Sequence, residues 1–271
     1  MPKYSFMEDY KIIPPSSLLS PYIKHYWILK TVGNSTTMAR TVPTGMMSLI
    51  FHRGNRLLSV HENMTQPRAF LSGQERTFND LKYDGYINMI SIVFRPAGAR
   101  AFFNLPLEKT AGLRLTADDM EDRELSELEG TLSGIEKDHL CILFIERFLL
   151  RRLTQLAEHN IKRIDTAIRL INAGQTDIEK LADATCLSTK QFNRVFSENI
   201  GTSPKEYSRI IRFQRALNMM EKDINLSFAA LACDCGYFDQ SHMIKEFKTF
   251  SGYTPSEYIA ECPPHSDYFE K

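Results

Sequence analysis

The sequence predicts an α+β protein of two domains, with a β-rich first half and an all-helical last third. Its length of 271 residues is near the size at which a single hydrophobic core stops growing. Short runs of β-branched and aromatic residues fill the chain between Tyr10 and Arg95, whereas helical spacing of apolar residues prevails after Pro96. This change of pattern indicates two folds in succession.

Four segments of the first half have the composition of strands, and turn-forming pairs such as Asp84-Gly85 separate them. They are Tyr22–Lys30, Thr41–Phe51, Arg68–Ser72 and Asn88–Phe94. Several short strands divided by turns indicate a sandwich or a small barrel. We expect this β-rich domain, with the helices appended to it, to occupy residues 1–157.

Three helices are predicted after the strands from the spacing of their apolar residues. They are Leu125–Leu132, Lys137–Leu156 and Ile164–Ile171, the last of which Gly174 closes. A polar stretch, Ala157–Arg163, precedes the third helix. We therefore place the domain boundary near Glu158 and assign residues 158–271 to the second domain.

Charge and cysteine content narrow the class of protein. Lysine plus arginine equals aspartate plus glutamate at 33 each, which argues against a surface coated in positive charge but leaves room for a local basic face. The 5 cysteines are odd in number and scattered, as is typical of reduced thiols. We find neither a signal peptide nor a run of about 18 apolar residues, so we expect a cytoplasmic protein.

The region after Gln175 repeats itself. Four positions recur 50 residues later: Ile178, Leu181, Ala182 and Leu187 return as Phe228, Leu231, Ala232 and Tyr237. After one added residue the offset is 51, and six positions recur: Ser188, Phe192, Phe196, Gly201, Pro204 and Tyr207 return as Asp239, Met243, Phe247, Gly252, Pro255 and Tyr258. Such self-similarity predicts a duplicated supersecondary unit.

Each copy has the pattern of a helix-turn-helix. A short helix ends near a small alanine, a turn follows, and Ser188 or Asp239 can cap the next helix with its side-chain oxygen. The second helix keeps its apolar residues on one face. The small alanine lets the two helices cross closely, and the second helix can lie in a major groove of DNA. The units are predicted at about 176–200 and 226–251.

Two stretches, IEKLADATCLSTKQFNRVFSENIGTSPKEY and FAALACDCGYFDQSHMIKEFKTFSGYTPSEY, resemble the AraC/XylS-type bacterial transcription regulators. The resemblance covers Ile161 to about Ala260. The first domain is similar to the cupin-like sensor domains of some members, through PTG (43–45) and FRPAGARAFF (94–103). The resemblance implies a regulator of transcription that binds double-stranded DNA and answers to a small-molecule effector. It also implies a homodimer through Lys137–Leu156 and, for an activator, RNA polymerase as a partner.

Helical geometry selects the side chains that would face DNA. They are Lys190, Asn193, Arg194 and Ser197 in the first unit, and Gln240, Ser241, Ile244, Lys245 and Lys248 in the second. The resemblance implies base contacts at Lys190, Asn193, Arg194, Gln240, Ser241 and Lys245. Ile244 is expected to be exposed, where it would suit a thymine methyl group.

A long helix over Ser203–Met220 is predicted to join the two units. Its 18 residues span ~27 Å, which suits recognition helices about one turn of DNA apart. Basic residues exceed acidic ones between Ser188 and Arg215, and we expect Lys205 and Arg209 to contact phosphates.

Two further functions stay open. A cupin-type enzyme with an accessory helical domain would need a metal site, and His25, His52 and His61 are its candidates, but they form no compact His-x-His pattern. We therefore expect no metal, no cofactor and no catalysis. A regulator controlled by a protein partner is the other alternative.

An effector pocket in the first domain has four candidate residues, for which core packing is the competing interpretation. They are Tyr26, Trp27, Arg40 and Arg95.

Overall fold

The computed structural model describes residues 7–32, 36–153, 158–223 and 227–261. The strands found there are β1 (Met7–Ile13), β2 (Ile23–Val32), β3 (Thr37–Thr41), β4 (Ser48–His52), β5 (Leu58–Ser59), β6 (Met64–Thr65), β7 (Ala69–Ser72), β8 (Asn79–Tyr83), β9 (Ile87–Phe94) and β10 (Arg114–Leu115). The α-helices are α1 (Arg123–Ser133), α2 (Asp138–Arg152), α3 (Glu158–Asn172), α4 (Ile178–Ala184), α5 (Thr189–Ile200), α6 (Pro204–Lys222), α7 (Phe228–Asp234), α8 (Gln240–Ser251) and α9 (Pro255–Glu261). Along these residues no helix is both long and apolar enough to cross a membrane.

The strands form two antiparallel sheets, which confirms the β-rich first domain. One sheet has the order β1-β2-β9-β4-β7-β10 and the other the order β3-β8-β5-β6. Alternation along β2 sends Ile28 toward α1 and α2, and Leu29 toward the second sheet. The first domain therefore has two apolar layers, one between the sheets and one beneath its helices.

The four residues suggested for an effector pocket do not come together. Tyr26 lies beneath the helices, where its hydroxyl donates to Glu146 at 3.2 Å, and burial followed by the Glu146 charge raises the pKa of Tyr26. Trp27, the next residue, packs between the sheets. Arg40 and Arg95 bind elsewhere, to Asp80 and to the carbonyl of Ser20.

Two of the predicted boundaries were wrong. Thr41–Phe51 is not one strand, because Pro43 and Gly45, with φ of 77°, turn the chain between β3 and β4. The polar stretch Ala157–Arg163 was not recognised as helical, yet α3 begins at Glu158. Residues 154–157, which hold the end of the predicted Lys137–Leu156 helix, lie outside the described residues, and the domain boundary stays a prediction.

The helical region has two apolar cores, one for each copy of the repeat. The first is built from α3, α4 and α5 and includes Phe192 and Phe196. The second is built from α6, α7 and α8 and includes Phe213 and Phe247. Because α6 contributes Tyr207 to the first core and Phe213 to the second, one helix carries both units.

Candidate nucleic-acid interface

The first helix-turn-helix unit is fixed by side chains that bind its free backbone groups. Asp177 caps α4, and Ser188 with Gln191 forms a capping box at the start of α5. Cys186, with φ of 55°, makes the turn between them, and Gly201, with φ of 85°, ends α5. The predicted unit is confirmed, and its geometry presents the outward face of α5 to solvent.

The second unit is built in the same way. Gly236, with φ of 76°, makes the turn, and the Asp239 carboxylate accepts from the His242 backbone N–H at 2.7 Å to cap α8. Met243 and Phe247 are fully buried, as predicted, and Gly252 ends α8 with φ of 77°. Both recognition helices thus begin at a capped turn and end at a left-handed glycine.

The predicted DNA-facing residues of α5 lie on its outer surface. Lys190 and Arg194 are exposed, whereas Asn193 and Ser197 are half-buried. The Asn193 amide donates to the carbonyl of Thr189 at 2.8 Å, and Arg194 pairs with Glu198 at 3.2 Å. The exposed ion pair is weak and exchangeable with a phosphate or base.

The corresponding face of α8 is polar. Gln240, Ser241, Lys245 and Lys248 are exposed. The expectation that Ile244 is exposed was wrong, since this side chain is half-buried. Contact of these nine side chains of α5 and α8 with DNA stays a prediction, as do the base contacts implied for six of them.

The joining helix α6 is 19 residues long and begins after the Ser203 cap, close to its predicted bounds. It spans about 28 Å. Its two expected phosphate contacts differ in their surroundings. Lys205 is exposed, but Arg209 is half-buried and donates to Glu246 at 2.8 Å and to Glu206 at 2.7 Å. Burial lowers the pKa of Arg209 and these carboxylates raise it, and the net shift is upward. The positive charge of Arg209 is largely balanced by the negative charges of Glu206 and Glu246.

A buried carboxylate holds the second unit on α6. Glu246 is 3% exposed and accepts from Arg212 at 2.8 and 3.0 Å as well as from Arg209. Arg212 also lies 4.5 Å from the centroid of the Tyr237 ring and donates to the Gly236 carbonyl at 3.3 Å. The sequence did not reveal this network, because Glu246 lies 34 residues from Arg212 along the chain. The one sign of this network in the sequence is an acidic residue, Glu246, between Met243 and Phe247, which face the core.

The β-rich domain contacts the same point of both units. The Gln74 amide donates to the Ile200 carbonyl at 2.9 Å, and the Arg40 guanidinium donates to the Ser251 carbonyl at 3.0 Å. Ile200 and Ser251 are equivalent positions of the repeat, each directly before the glycine that ends a recognition helix. We name these two hydrogen bonds the paired carbonyl contacts.

Aromatic rings support the second of the paired carbonyl contacts. The Arg40 guanidinium lies 4.3 Å from the centroids of both Phe78, in its own domain, and Tyr253, in the helical domain. Asp80 accepts from it at 2.6 and 2.8 Å, which fixes its orientation. No pattern in the sequence links Arg40 or Gln74 to the repeat, so sequence analysis missed this contact.

No metal centre is visible in the part of the chain that the structure describes, since no three His, Cys, Asp or Glu side chains cluster there in a way that could hold an ion. The candidate His52 is buried between the sheets and bonds to the Gln66 amide oxygen at 3.0 Å. Burial lowers the pKa of His52 to about 4.

Comparison with known proteins gives a match for each domain. Residues 11–116 match a domain of unknown function (DUF6597), and residues 181–261 match a helix-turn-helix domain. An uncharacterized HTH-type transcriptional regulator from Haemophilus influenzae is 35% identical over 139 residues, which cover 48% of this chain and 46% of that protein. The arabinose operon regulatory protein from Salmonella typhimurium is 24% identical over 159 residues, covering 54% of this chain and 56% of that one.

The chain thus spans about half the length of the curated relatives it matches. Among solved structures, ToxT from Vibrio cholerae is similar over 87% of this chain and 97% of its own, with 13% identity and a TM-score of 0.46. Each of the two domains of this chain is therefore similar to a known domain: the β-rich one to DUF6597, and the helical one to a helix-turn-helix domain.

Proposed function

We propose that this protein is a transcription regulator that binds specific DNA sequences, with α5 and α8 in successive major grooves. The observation that carries the proposal is the pair of helix-turn-helix units built on one helix, each with a polar outward face. A span of about 28 Å along α6 is somewhat shorter than one turn of DNA, ~34 Å, so simultaneous docking favours DNA bent toward the protein.

The outward side chains have the chemistry of base readout. The Arg194 guanidinium can donate two hydrogen bonds to guanine, and the amide of Asn193 or Gln240 can bind adenine in the same bidentate way. Lys190 and Lys245, the other charged side chains implied as base contacts, can donate to guanine and add positive charge to the same faces. As a protein that binds bacterial DNA, it acts in the cytoplasm and needs no catalytic site.

The test is selection of duplexes from a random-sequence pool by the 271-residue chain at low salt. Arg194→Ala should weaken binding to the selected duplex by about 1–3 kcal/mol and relax the preference at one base pair. Arg123→Ala, which removes an exposed arginine at the start of α1, is the matched control and should leave affinity and preference unchanged. Absence of any bound duplex would refute the proposed function.

Control by a small-molecule effector in the β-rich domain is the second part of the proposal. Among the described residues, the Ser91 hydroxyl and His52 Nδ1 are buried without a hydrogen-bond partner. Each unpaired group costs about 1–3 kcal/mol, and a hydrogen bond to a polar ligand would offset that cost. The paired carbonyl contacts connect this domain directly to both recognition helices. A metabolite screen by thermal shift tests this part, because a ligand at 100 times its Kd stabilises the protein by ~2.7 kcal/mol.

A homodimer is the third part of the proposal, and an exposed apolar stripe on α2 supports it. Leu140, Leu143 and Phe144 are 36%, 60% and 38% exposed on one side of the helix. A second copy would cover them, and RNA polymerase would be a further partner of an activator. Leu143→Glu should convert the dimer to a monomer in sedimentation, whereas a wild-type chain that is already monomeric would refute this part.

A further inference from the structure

One large apolar side chain of the helical domain is exposed to solvent, which costs free energy, and packing does not explain its position. Phe238, directly before the Asp239 cap of α8, is 92% exposed. Among the side chains that the structure describes between residues 162 and 260, it is the sole large apolar one that is exposed. The usual role of an apolar residue at this position is to pack on the fourth residue of the helix. That residue, Met243, is 0% exposed and already covered, so Phe238 does not take this role.

Comparison of the two units shows why Phe238 is left outside. The Leu187 backbone N–H donates to the Ala182 carbonyl at 3.0 Å, and that of Tyr237 donates to the Ala232 carbonyl at 2.9 Å, so Leu187 and Tyr237 are equivalent. In the first unit the helix cap follows at once, but in the second unit Phe238 intervenes. Phe238 is therefore the residue that the second turn has in addition, and Tyr237 occupies the apolar site beneath it.

The turn that carries Phe238 is held in place. Arg212 binds the Gly236 carbonyl and stacks on the Tyr237 ring, and Glu246 fixes Arg212 in turn. On the other side, the Phe238 backbone N–H approaches His242 Nδ1 at 3.4 Å. The ring is thus presented beside the first turn of α8, next to the exposed Gln240 and Ser241.

We propose that Phe238 reads DNA by contacting the 5-methyl group of a thymine in the major groove entered by α8. This inference rests on the proposed function. The N-terminal end of a recognition helix is the end that meets base edges, and the thymine methyl is the apolar group displayed there. A protein partner would need a contiguous apolar patch of a few hundred Å², whereas Phe238 has no exposed apolar neighbour among the described residues of its domain. Ile244, to which the sequence pointed for this role, is half-buried.

The experiment pairs protein variants with DNA variants on the duplex selected by the 271-residue chain. Each thymine is replaced in turn by deoxyuridine, which removes only the methyl group. At one thymine, replacement should weaken wild-type binding about fourfold, equivalent to ~0.8 kcal/mol for one buried carbon group. The same replacement should leave Phe238→Ala unaffected, and Phe238→Leu should retain part of the response. Leu18→Ala, which removes a 67% exposed side chain from the β-rich domain, should respond to uracil as wild type does.

The outcomes separate the inference from the function on which it rests. If every thymine gives Phe238→Ala and wild type the same response to uracil, Phe238 does not read a methyl group and the inference is overturned. A variant that binds DNA as wild type does but loses activation with RNA polymerase would overturn it also, by assigning Phe238 to a protein partner. If the wild-type chain selects no duplex at all, the proposed function fails and the inference falls with it.

Discussion

Substitution of Glu246 by glutamine should separate the second helix-turn-helix unit from its support on α6. The Glu246 side chain is 2% exposed, and it accepts hydrogen bonds from Arg209 and Arg212. Glutamine keeps one acceptor oxygen but places an amide donor against a guanidinium donor. Removing one partner of a buried ion pair costs about 3–5 kcal/mol. Arg209 keeps Glu206 and is itself 33% exposed, so we expect the lower end, ~3 kcal/mol.

Urea unfolding followed by circular dichroism measures this effect. With a slope of ~3 kcal/mol per molar urea, the midpoint of the helical domain should fall by about 1 M. Glu198→Gln removes an exposed carboxylate that pairs with Arg194, and it should change stability by less than about 0.5 kcal/mol. The double variant Glu246→Met with Arg212→Met should recover part of the loss, because no unpaired buried charge remains at Arg212. Equal midpoints for Glu246→Gln and Glu198→Gln would refute the structural role of the network.

Three other predictions concern acid stability, domain docking and salt dependence. Burial lowers the pKa of His52 from 6.5 to about 4. Between pH 6.5 and 5, therefore, His52 binds a proton in the unfolded chain but stays neutral in the folded chain. The free energy of unfolding should therefore fall by about 1.6 kcal/mol over that range, and His52→Phe should flatten this part of the titration. Gly252→Ala would place a Cβ 2.6 Å from an Arg40 nitrogen at φ of +77° and should lower the urea midpoint. Gly130→Ala, in a helix with open space around it, should raise the midpoint slightly. Equal effects of the two substitutions would contradict the contact between Arg40 and the end of α8. Lys205→Ala should reduce the slope of log K against log salt by about one, whereas Arg209→Ala should mainly lower stability; the opposite pattern would assign the phosphate contact to Arg209.

The helical domain was largely predictable because its information is local and occurs twice. Caps such as Ser188 and Asp239 lie within three residues of the N–H groups that they bind, so spacing alone predicted them. The β-rich domain was harder, since its strands pair across long separations. The short break at Pro43 and Gly45 was therefore missed inside an apolar run.

The missing part of the candidate site consists of partners that lie far apart in sequence. The number of basic residues suggested a phosphate-facing surface that included Arg209. That number could not show that Arg209 is hydrogen-bonded to Glu246 of another helix, α8. Phe238 left a trace in the sequence, because the repeat offset changes from 50 to 51 between Tyr237 and Asp239. That added residue corresponds to the longer second turn of the structure, but the sequence gives no sign that its ring is exposed.

The paired carbonyl contacts use backbone oxygens, and this choice separates two properties of the molecule. Gln74 and Arg40 bind main-chain atoms of Ile200 and Ser251. Side chains on the outer faces of α5 and α8 can therefore be exchanged without changing the carbonyl oxygens that the β-rich domain binds. Under the proposed function, a related chain can therefore acquire a new target site while the contacts between its two domains stay the same. The same independence makes the two recognition helices suitable for grafting, with the rest of the protein left as it is.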